Sequence, residues 1–126
     1  MLDKPIVIHV TNEVFDLFKK GVKKAEYRPQ TRYYMQRFEK ARDYMALCHN
    51  GPYGYMQPHL FLDIRKAYLP KESRDSWLIA AISDISLVKV EDIPETDRKL
   101  VVALYKDKFK SGYFKDLLFY RIDLEV

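Results

Sequence analysis

A single stretch organises this chain: Phe15-Asp-Leu-Phe-Lys-Lys-Gly-Val-Lys-Lys-Ala-Glu-Tyr-Arg-Pro29. It predicts the end of a short amphipathic helix, a glycine stop and a charged strand. Val14, Leu17 and Phe18 share one face of the helix. Gly21 follows two lysines, which suits a helix C-terminus, because cations favour the negative end of the helix dipole and glycine accepts a left-handed cap.

The strand after Gly21 carries ionisable side chains at four of six consecutive positions: Lys23, Lys24, Glu26 and Arg28. A half-buried strand normally keeps one face apolar, so charges on both faces favour a strand that lines a cleft. Positions three apart on a regular strand face opposite sides, and Lys23 and Glu26 therefore converge only if Lys23 lies at the helix–strand junction. We expect the pair to line an exposed functional cleft; the alternative is a structural ion pair.

The remaining pattern predicts one α+β domain spanning residues 1–126. Six strands are expected, at residues 5–10, 23–28, 43–48, 59–68, 76–90 and 117–126. Three short helices are expected: one before Gly21, one over residues 32–42 and one over about 92–109, with Leu100, Val101, Leu104 and Tyr105 buried. The long stretch at residues 76–90 predicts either one strand bent by a bulge or two short strands, and the last strand can pair back with an early one. A small closed or nearly closed barrel accommodates these features.

Composition limits the class of protein. At 126 residues the chain suits a single domain, and its only cysteine, Cys48, excludes an internal disulfide and favours a reducing compartment. We see no signal segment and no apolar run long enough to cross a bilayer, so we expect a cytoplasmic protein without a membrane partner. The histidines and Cys48 lack zinc-site spacing, and neither a metal nor a cofactor is expected.

Positive charge is concentrated in one segment. The net charge is +4, but residues 19–42 contain nine basic and two acidic residues, a local balance of +7. Tyr27, Tyr33, Tyr34 and Phe38 are interleaved with these cations. Such a segment favours binding to a polyanion such as nucleic acid, although a solvated helix face rich in lysine and arginine is the alternative.

The pattern Gly21-x-Lys23-x-x-Glu26-x-Arg28, placed just after a short helix, resembles the signature of the ASCH domain family. The resemblance continues through Tyr27-Arg-Pro29, Thr31-Arg-Tyr-Tyr34 and Arg37-Phe38, and then through residues 44–48, His49-Asn-Gly51 and Pro58. It covers roughly residues 14–62. What it implies is a barrel similar to the PUA RNA-binding fold.

The resemblance also bears on activity. Some family members resemble amidohydrolases that remove an acyl group from a modified cytidine, using a lysine, a threonine three residues later and a distant glutamate. Lys23 matches the lysine, but Glu26 occupies the threonine position, and a carboxylate does not replace a hydroxyl. Other members are linked to RNA binding or RNA cleavage, which do not require that threonine.

We therefore expect an RNA- or nucleotide-binding domain whose ligand is single-stranded RNA or a modified nucleotide or nucleoside. Lys23 and Glu26 are the candidate catalytic pair. The candidate ligand-binding residues are Lys24, Arg28, Arg32, Tyr33, Arg37, Tyr53 and Tyr55. Two alternatives remain open. One is an enzyme at the same site, either an amidohydrolase or a ribonuclease using His49 and His59. The other is a protein-interaction module with a basic docking face.

The charge of residues 19–42 gives a first testable prediction. If single-stranded RNA is the ligand, log affinity should fall with log salt with a slope of about −2 to −4, because each neutralised phosphate releases counterions. Titrations from low to high salt measure this slope. Equal affinity across the range would contradict a polyanionic ligand.

Overall fold

The charged strand lies at one edge of a five-stranded sheet. The computed structural model describes residues 5–50, 60–67, 77–114 and 116–125. The strands are β1 (Ile6–Val10), β2 (Ala25–Pro29), β3 (Phe61–Lys66), β4 (Trp77–Val88) and β5 (Phe119–Glu125). Their order is β1-β3-β4-β5-β2; β1 and β3 are parallel and the other neighbours are antiparallel.

The sheet curls into half a barrel, and the α+β class is confirmed. The strands β1 and β2 form its two edges, so the closed barrel of six strands is not confirmed. Two finer predictions are confirmed. The strand β4 has a register shift between Ile82 and Asp84, which marks the expected bulge, and β5 pairs back with the early strand β2.

Among the described residues, four helices accompany the sheet: α1 (Asn12–Lys19), α2 (Arg32–Asn50), α3 (Glu95–Leu104) and α4 (Lys106–Lys110). A 3-10 turn at Val90–Asp92 precedes α3. The Thr11 hydroxyl caps α1 by accepting from the Val14 N–H at 3.3 Å. Gly21 adopts φ 73° just after α1, in the left-handed region that glycine tolerates.

The predicted strand at residues 43–48 is wrong, because α2 continues through it to Asn50. The buried side chains of this helix are spaced three and four apart, as one helical face requires: Phe38, Ala41, Met45 and Cys48. The sequence contains neither glycine nor proline between the start of α2 and Gly51. The apolar residues at 44–48 therefore belong to the C-terminal part of the helical pattern of α2.

The single helix predicted over about residues 92–109 is also divided. It breaks at Tyr105, whose ring lies 5.4 Å from that of Phe114 and 6.3 Å from that of Phe119. Val101 is buried as expected, but Leu104 is 57% exposed, contrary to the prediction. In the described part of the chain, no helix is long and apolar enough to cross a membrane.

Two apolar clusters lie on opposite faces of the curled sheet. The larger one joins α1 and α2 to the concave face and includes Phe18, Phe38, Met45, Leu62 and Ile122. The smaller one lies under α3 and α4 and is built around Tyr27, Ile93, Val101, Phe114 and Phe119. Since successive residues of β2 point to opposite faces, Tyr27 enters the smaller cluster while Glu26 and Arg28 face the other way.

A polar contact ties α2 to the sheet. The Tyr120 hydroxyl donates to the Glu39 carboxylate, which also accepts from Gln30 at 3.1 Å and from Arg42 at 3.0 Å. The Tyr120 hydrogen bond, followed by that of Arg42, lowers the pKa of Glu39 below its ordinary value of 4.5. A carboxylate whose pKa is lowered by folding stabilises the protein above its unfolded pKa, and this stabilisation is lost as the pH falls through the folded pKa.

Replacing Glu39 with Gln tests this contact. We expect Glu39→Gln to lower the free energy of unfolding by about 1–2 kcal/mol at pH 7, because hydrogen bonds to a charged acceptor are stronger than those to a neutral one. The deficit should shrink as the pH falls below about 4.5 and then through the lowered pKa of the folded protein, because the Glu39 carboxylate is protonated over this range. Urea titrations between pH 7 and pH 3 measure both effects.

The matched control is Glu95→Gln. Glu95 pairs with Lys99 on the surface of α3, with both side chains more than two-thirds exposed. Such pairs contribute about 0.3–0.5 kcal/mol. A deficit for Glu39→Gln that stays constant from pH 7 to pH 3 would contradict the role assigned to the Glu39 carboxylate.

Candidate functional site

Lys23 lies at the junction between α1 and β2. Its backbone N–H still donates to the Leu17 carbonyl of α1 at 3.1 Å, two residues before β2 begins at Ala25. The pleat is not yet established at this position, and the Lys23 Nζ lies 3.7 Å from the Glu26 Oε1. The predicted convergence of Lys23 and Glu26 is confirmed.

The Lys23 ammonium is held on several sides. Its Nζ donates to the Ala25 carbonyl at 2.6 Å and to the Asp97 Oδ1 of α3 at 3.3 Å. It also lies 5.2 Å from the centre of the Phe18 ring and 5.3 Å from that of Tyr27, within the range of cation–π attraction. The position of α3 is thereby tied to the start of β2.

Arg28 connects the two edges of the sheet. Its Nη2 donates to the Glu26 Oε2 at 3.1 Å within β2 and to the His9 carbonyl of β1 at 2.9 Å. Its Nη1 donates to the Tyr34 hydroxyl of α2 at 3.0 Å. The Glu26 Oε1 in turn accepts from the Tyr27 N–H at 3.0 Å. Asp97, Lys23, Glu26 and Arg28 therefore form one continuous charged network.

The network is buried, contrary to our expectation of an exposed pair. Lys23 is 5% exposed, and Glu26 and Arg28 are each 6% exposed. Burial is tolerated because each charge meets an opposite charge and further polar atoms, as buried ions require. Alternating sign along the sequence (Lys23, Glu26, Arg28) supplies this compensation locally, and Asp97 adds a second carboxylate.

The network also changes the proton affinity of its members. Burial on its own would lower the pKa of the Arg28 guanidinium, but Glu26 and the Tyr34 hydroxyl raise it above the ordinary value. Burial raises the pKa of the nearby Tyr105, with Arg28 opposing this rise. Arg28 is therefore a permanent cation and Tyr105 a neutral hydroxyl at physiological pH.

A cleft of about 390 Å³, here called the main cleft, lies between the two edge strands. Lys23, Glu26 and Arg28 line it from β2, and His9 and Val10 from β1. The helix α3 forms a further wall with Leu100, Val101, Ala103 and Leu104. The buried network is therefore also one side of an open cavity at the gap in the half barrel.

A second cleft of about 240 Å³ lies beside β1 and shares Arg28 and His9 with the main cleft. Tyr33, Tyr34 and Arg37 of α2 line it together with Val7 and Ile8. The Arg37 Nη1 donates to the Val7 carbonyl at 2.9 Å, and its guanidinium lies 4.8 Å from the centre of the Tyr33 ring. Arg28 of β2 and Arg37 of α2 thus donate hydrogen bonds to carbonyls of the edge strand β1 that would otherwise face solvent.

The candidate residues thus divide into groups. Lys23 and Glu26 line the main cleft, Tyr33 and Arg37 line the second, and Arg28 lines both. Lys24 and Arg32 are exposed but line neither cleft. Tyr53, Tyr55 and His59, with residue 51 and the rest of the glycine-rich turn, lie outside the described residues.

The sequence did not indicate the α3 wall, the role of His9 at both clefts or the contact with Asp97. Asp97 lies 74 residues from Lys23, and no local pattern connects them. Among the described residues, no group of three or more His, Cys, Asp and Glu side chains is placed to hold a metal ion. No family model, curated protein or solved structure matches this chain.

Removing Arg28 should destabilise the protein. Arg28→Ala leaves Glu26, the His9 carbonyl and Tyr34 without their shared donor, and breaking a buried pair in this way costs about 3–5 kcal/mol. A domain of this size has about 5–15 kcal/mol in total, so urea denaturation should detect the loss clearly.

Arg32→Ala is the matched control, because Arg32 is an exposed arginine at the start of α2 that lines neither cleft. We expect it to change the free energy of unfolding by less than about 0.5 kcal/mol. Equal stability of Arg28→Ala and Arg32→Ala would show that the bridge between β1 and β2 does not support the fold.

Proposed function

We propose that this protein binds a nucleotide, either free or as one unit of single-stranded RNA, with the base in the main cleft. The observation that carries the proposal is the cleft itself, a cavity of about 390 Å³ with an apolar α3 wall facing a polar β2 wall. Pockets for small ligands span about 300–1,000 Å³ and combine apolar walls with a few convergent polar groups. The volume suits one base with its sugar and is too small for a stack of several.

The polar wall offers both donors and acceptors. The Glu26 carboxylate accepts two hydrogen bonds from its neighbours and retains lone pairs for more. Within the described part of the chain, the hydroxyl of Tyr27, a residue that lines the main cleft, has no hydrogen-bond partner. A base edge carries donors and acceptors side by side, and bases are read in this way when they are unpaired.

Charge supports a nucleotide over an uncharged ligand. Residues 19–42 carry a balance of +7, of which Lys23 and Arg28 are compensated inside the network. The cations that remain accessible include Lys24, Arg32, Arg37 and Lys40, all on the protein surface. None of these four cations lines the main cleft, so they are available to attract phosphates while the base is read in the cleft.

The contacts of Lys23 favour binding over catalysis. The Lys23 ammonium donates hydrogen bonds to the Ala25 carbonyl and to Asp97, and it also lies 3.7 Å from Glu26. A lysine acting as a nucleophile would have to lose a proton, and with its charge the ion pairs to Asp97 and Glu26. The hydrolase alternative, already weakened by Glu26 at the threonine position, gains no support from this geometry.

The ASCH family assignment remains part of the proposal. Its support is the motif from Gly21 to Arg28 in the helix–strand context that the resemblance implies, together with a curled sheet whose last strand pairs with the motif strand. The curled half-barrel sheet of five strands is the coarser feature that a PUA-like barrel would share.

Filling the main cleft tests the proposal. Ala103 lines the cleft from α3, and Ala103→Trp should lower affinity for nucleoside monophosphates and for short single-stranded RNA at least tenfold by occupying the space of the base. Isothermal titration calorimetry with the four ribonucleoside monophosphates and a mixed-sequence hexamer measures the effect.

Val102→Trp is the control, because Val102 is the neighbouring exposed position of α3 and does not line the cleft. Both substitutions place tryptophan in the same helix, where differences in helix propensity are below about 1 kcal/mol. Binding that is unchanged by Ala103→Trp, or absent from the wild-type protein for all these ligands, would overturn the proposed function.

A further inference from the structure

The two clefts differ in charge although they share a wall. The main cleft is lined by two cationic side chains, Lys23 and Arg28, and by two carboxylates, Glu13 and Glu26. The second cleft is lined by Arg28 and Arg37, and no carboxylate lines it among the described residues. An anionic group entering this region would therefore be drawn to the second cleft and away from the main one.

Arg37 is fixed in place although it is exposed. Its hydrogen bond to the Val7 carbonyl and its stacking on Tyr33 hold the guanidinium at the mouth of the second cleft. A guanidinium has five N–H donors, of which this contact uses one. A free arginine loses rotamer entropy when it is immobilised, and here the fold has already restricted that freedom.

Arg28 provides a second, independent indication of a ligand. It is 6% exposed, it lines the second cleft, and its buried Nε has no hydrogen-bond partner within the described residues. A buried donor without a partner is costly, and it calls for an acceptor that the protein itself does not supply. An anionic oxygen in the second cleft is such an acceptor.

The size of the second cleft restricts what can enter. At about 240 Å³ it lies below the range of about 300–1,000 Å³ typical of pockets that hold a whole small ligand. It suits a fragment that is attached to something larger. Because the second cleft adjoins the main cleft at Arg28 and His9, the larger part is a molecule bound in the main cleft.

We infer that the second cleft is a phosphoryl-binding subsite, in which Arg37 and Arg28 hold a phosphate of the nucleotide whose base occupies the main cleft. This inference rests on the proposed function and adds a division of labour between the two clefts. Arginine is suited to this role, because its planar fork donates two parallel hydrogen bonds to phosphate oxygens. Lys24 and Arg32 are outside the subsite.

The test compares nucleosides with their phosphates. Titration calorimetry at low salt should show the 5′- or 3′-monophosphate of the preferred nucleoside binding at least tenfold more tightly than the nucleoside. In Arg37→Gln this ratio should fall to about threefold or less, with affinity for the nucleoside itself unchanged. Arg32→Gln, an exposed arginine of the same helix, should retain the wild-type ratio. Thermal melts confirm that both variants are folded.

The source of the phosphate is distinguished with trinucleotides that carry or lack a terminal phosphate. If Arg37→Gln weakens only the phosphorylated trinucleotide, the subsite takes a terminal phosphate. If it weakens both equally, the subsite takes an internal phosphate of an RNA strand. Both results support the inference. Equal wild-type affinity for nucleoside and monophosphate overturns it, as does an equal loss in Arg37→Gln and Arg32→Gln.

Inorganic phosphate separates the inference from the proposed function. With ¹⁵N-labelled protein, phosphate at constant ionic strength should shift the amide resonances of His9, Tyr33 and Arg37, and chloride should not. If these shifts occur while no nucleoside or nucleotide binds, the anion subsite stands and the proposed function fails. If neither phosphate nor nucleotides shift these resonances, the subsite is overturned as well.

Discussion

The arrangement described above depends on the contacts of the Arg28 guanidinium. The strands β1 and β2 are the two edges of the curled sheet and do not pair with each other among the described residues. Arg28 reaches from β2 to the His9 carbonyl of β1, while Glu26 and Tyr34 hold it in place. A side chain thus spans the gap that a closed barrel would fill with backbone hydrogen bonds. Both clefts exist because this gap remains open on either side of Arg28.

The pairing of buried cations with carboxylates determines which of the two clefts keeps a positive charge. A count along residues 19–42 gives +7 and suggests a uniformly basic cleft. In the folded chain, Lys23 and Arg28 are neutralised by Glu26 and by Asp97, so the main cleft is balanced. Positive charge is left on the outer face of α2 and in the second cleft, where Arg37 has no carboxylate beside it among the described lining residues. The two clefts therefore differ in charge, as the proposed separation of the phosphate from the base of a nucleotide requires.

Local patterns predicted those features of the fold that local interactions determine. The stop at Gly21, the approach of Lys23 to Glu26 at the helix–strand junction and the bulge in β4 all follow from a few neighbouring residues. The strand predicted at residues 43–48 is wrong because six residues are too few to separate an alternating pattern from the end of a helical one. The burial of the network was not predictable, because it depends on Asp97 and on a β1 carbonyl that are distant in sequence.

The same network of Asp97, Lys23, Glu26 and Arg28 holds the walls of the clefts in place before a ligand binds. Glu26, Lys23 and Arg28 are fixed by one another and by backbone carbonyls, so a bound molecule would not have to order them. Since immobilising a flexible side chain costs about 0.5–1.5 kcal/mol on binding, a rigid wall preserves affinity that mobile charges would lose. The ion pair between Lys23 and Asp97 extends this effect to α3, because it fixes the apolar wall relative to the polar one. The distance across the main cleft is therefore set by the ion pair between Lys23 and Asp97. The side chains that span the gap between β1 and β2 thus also fix the space that the ligand would enter.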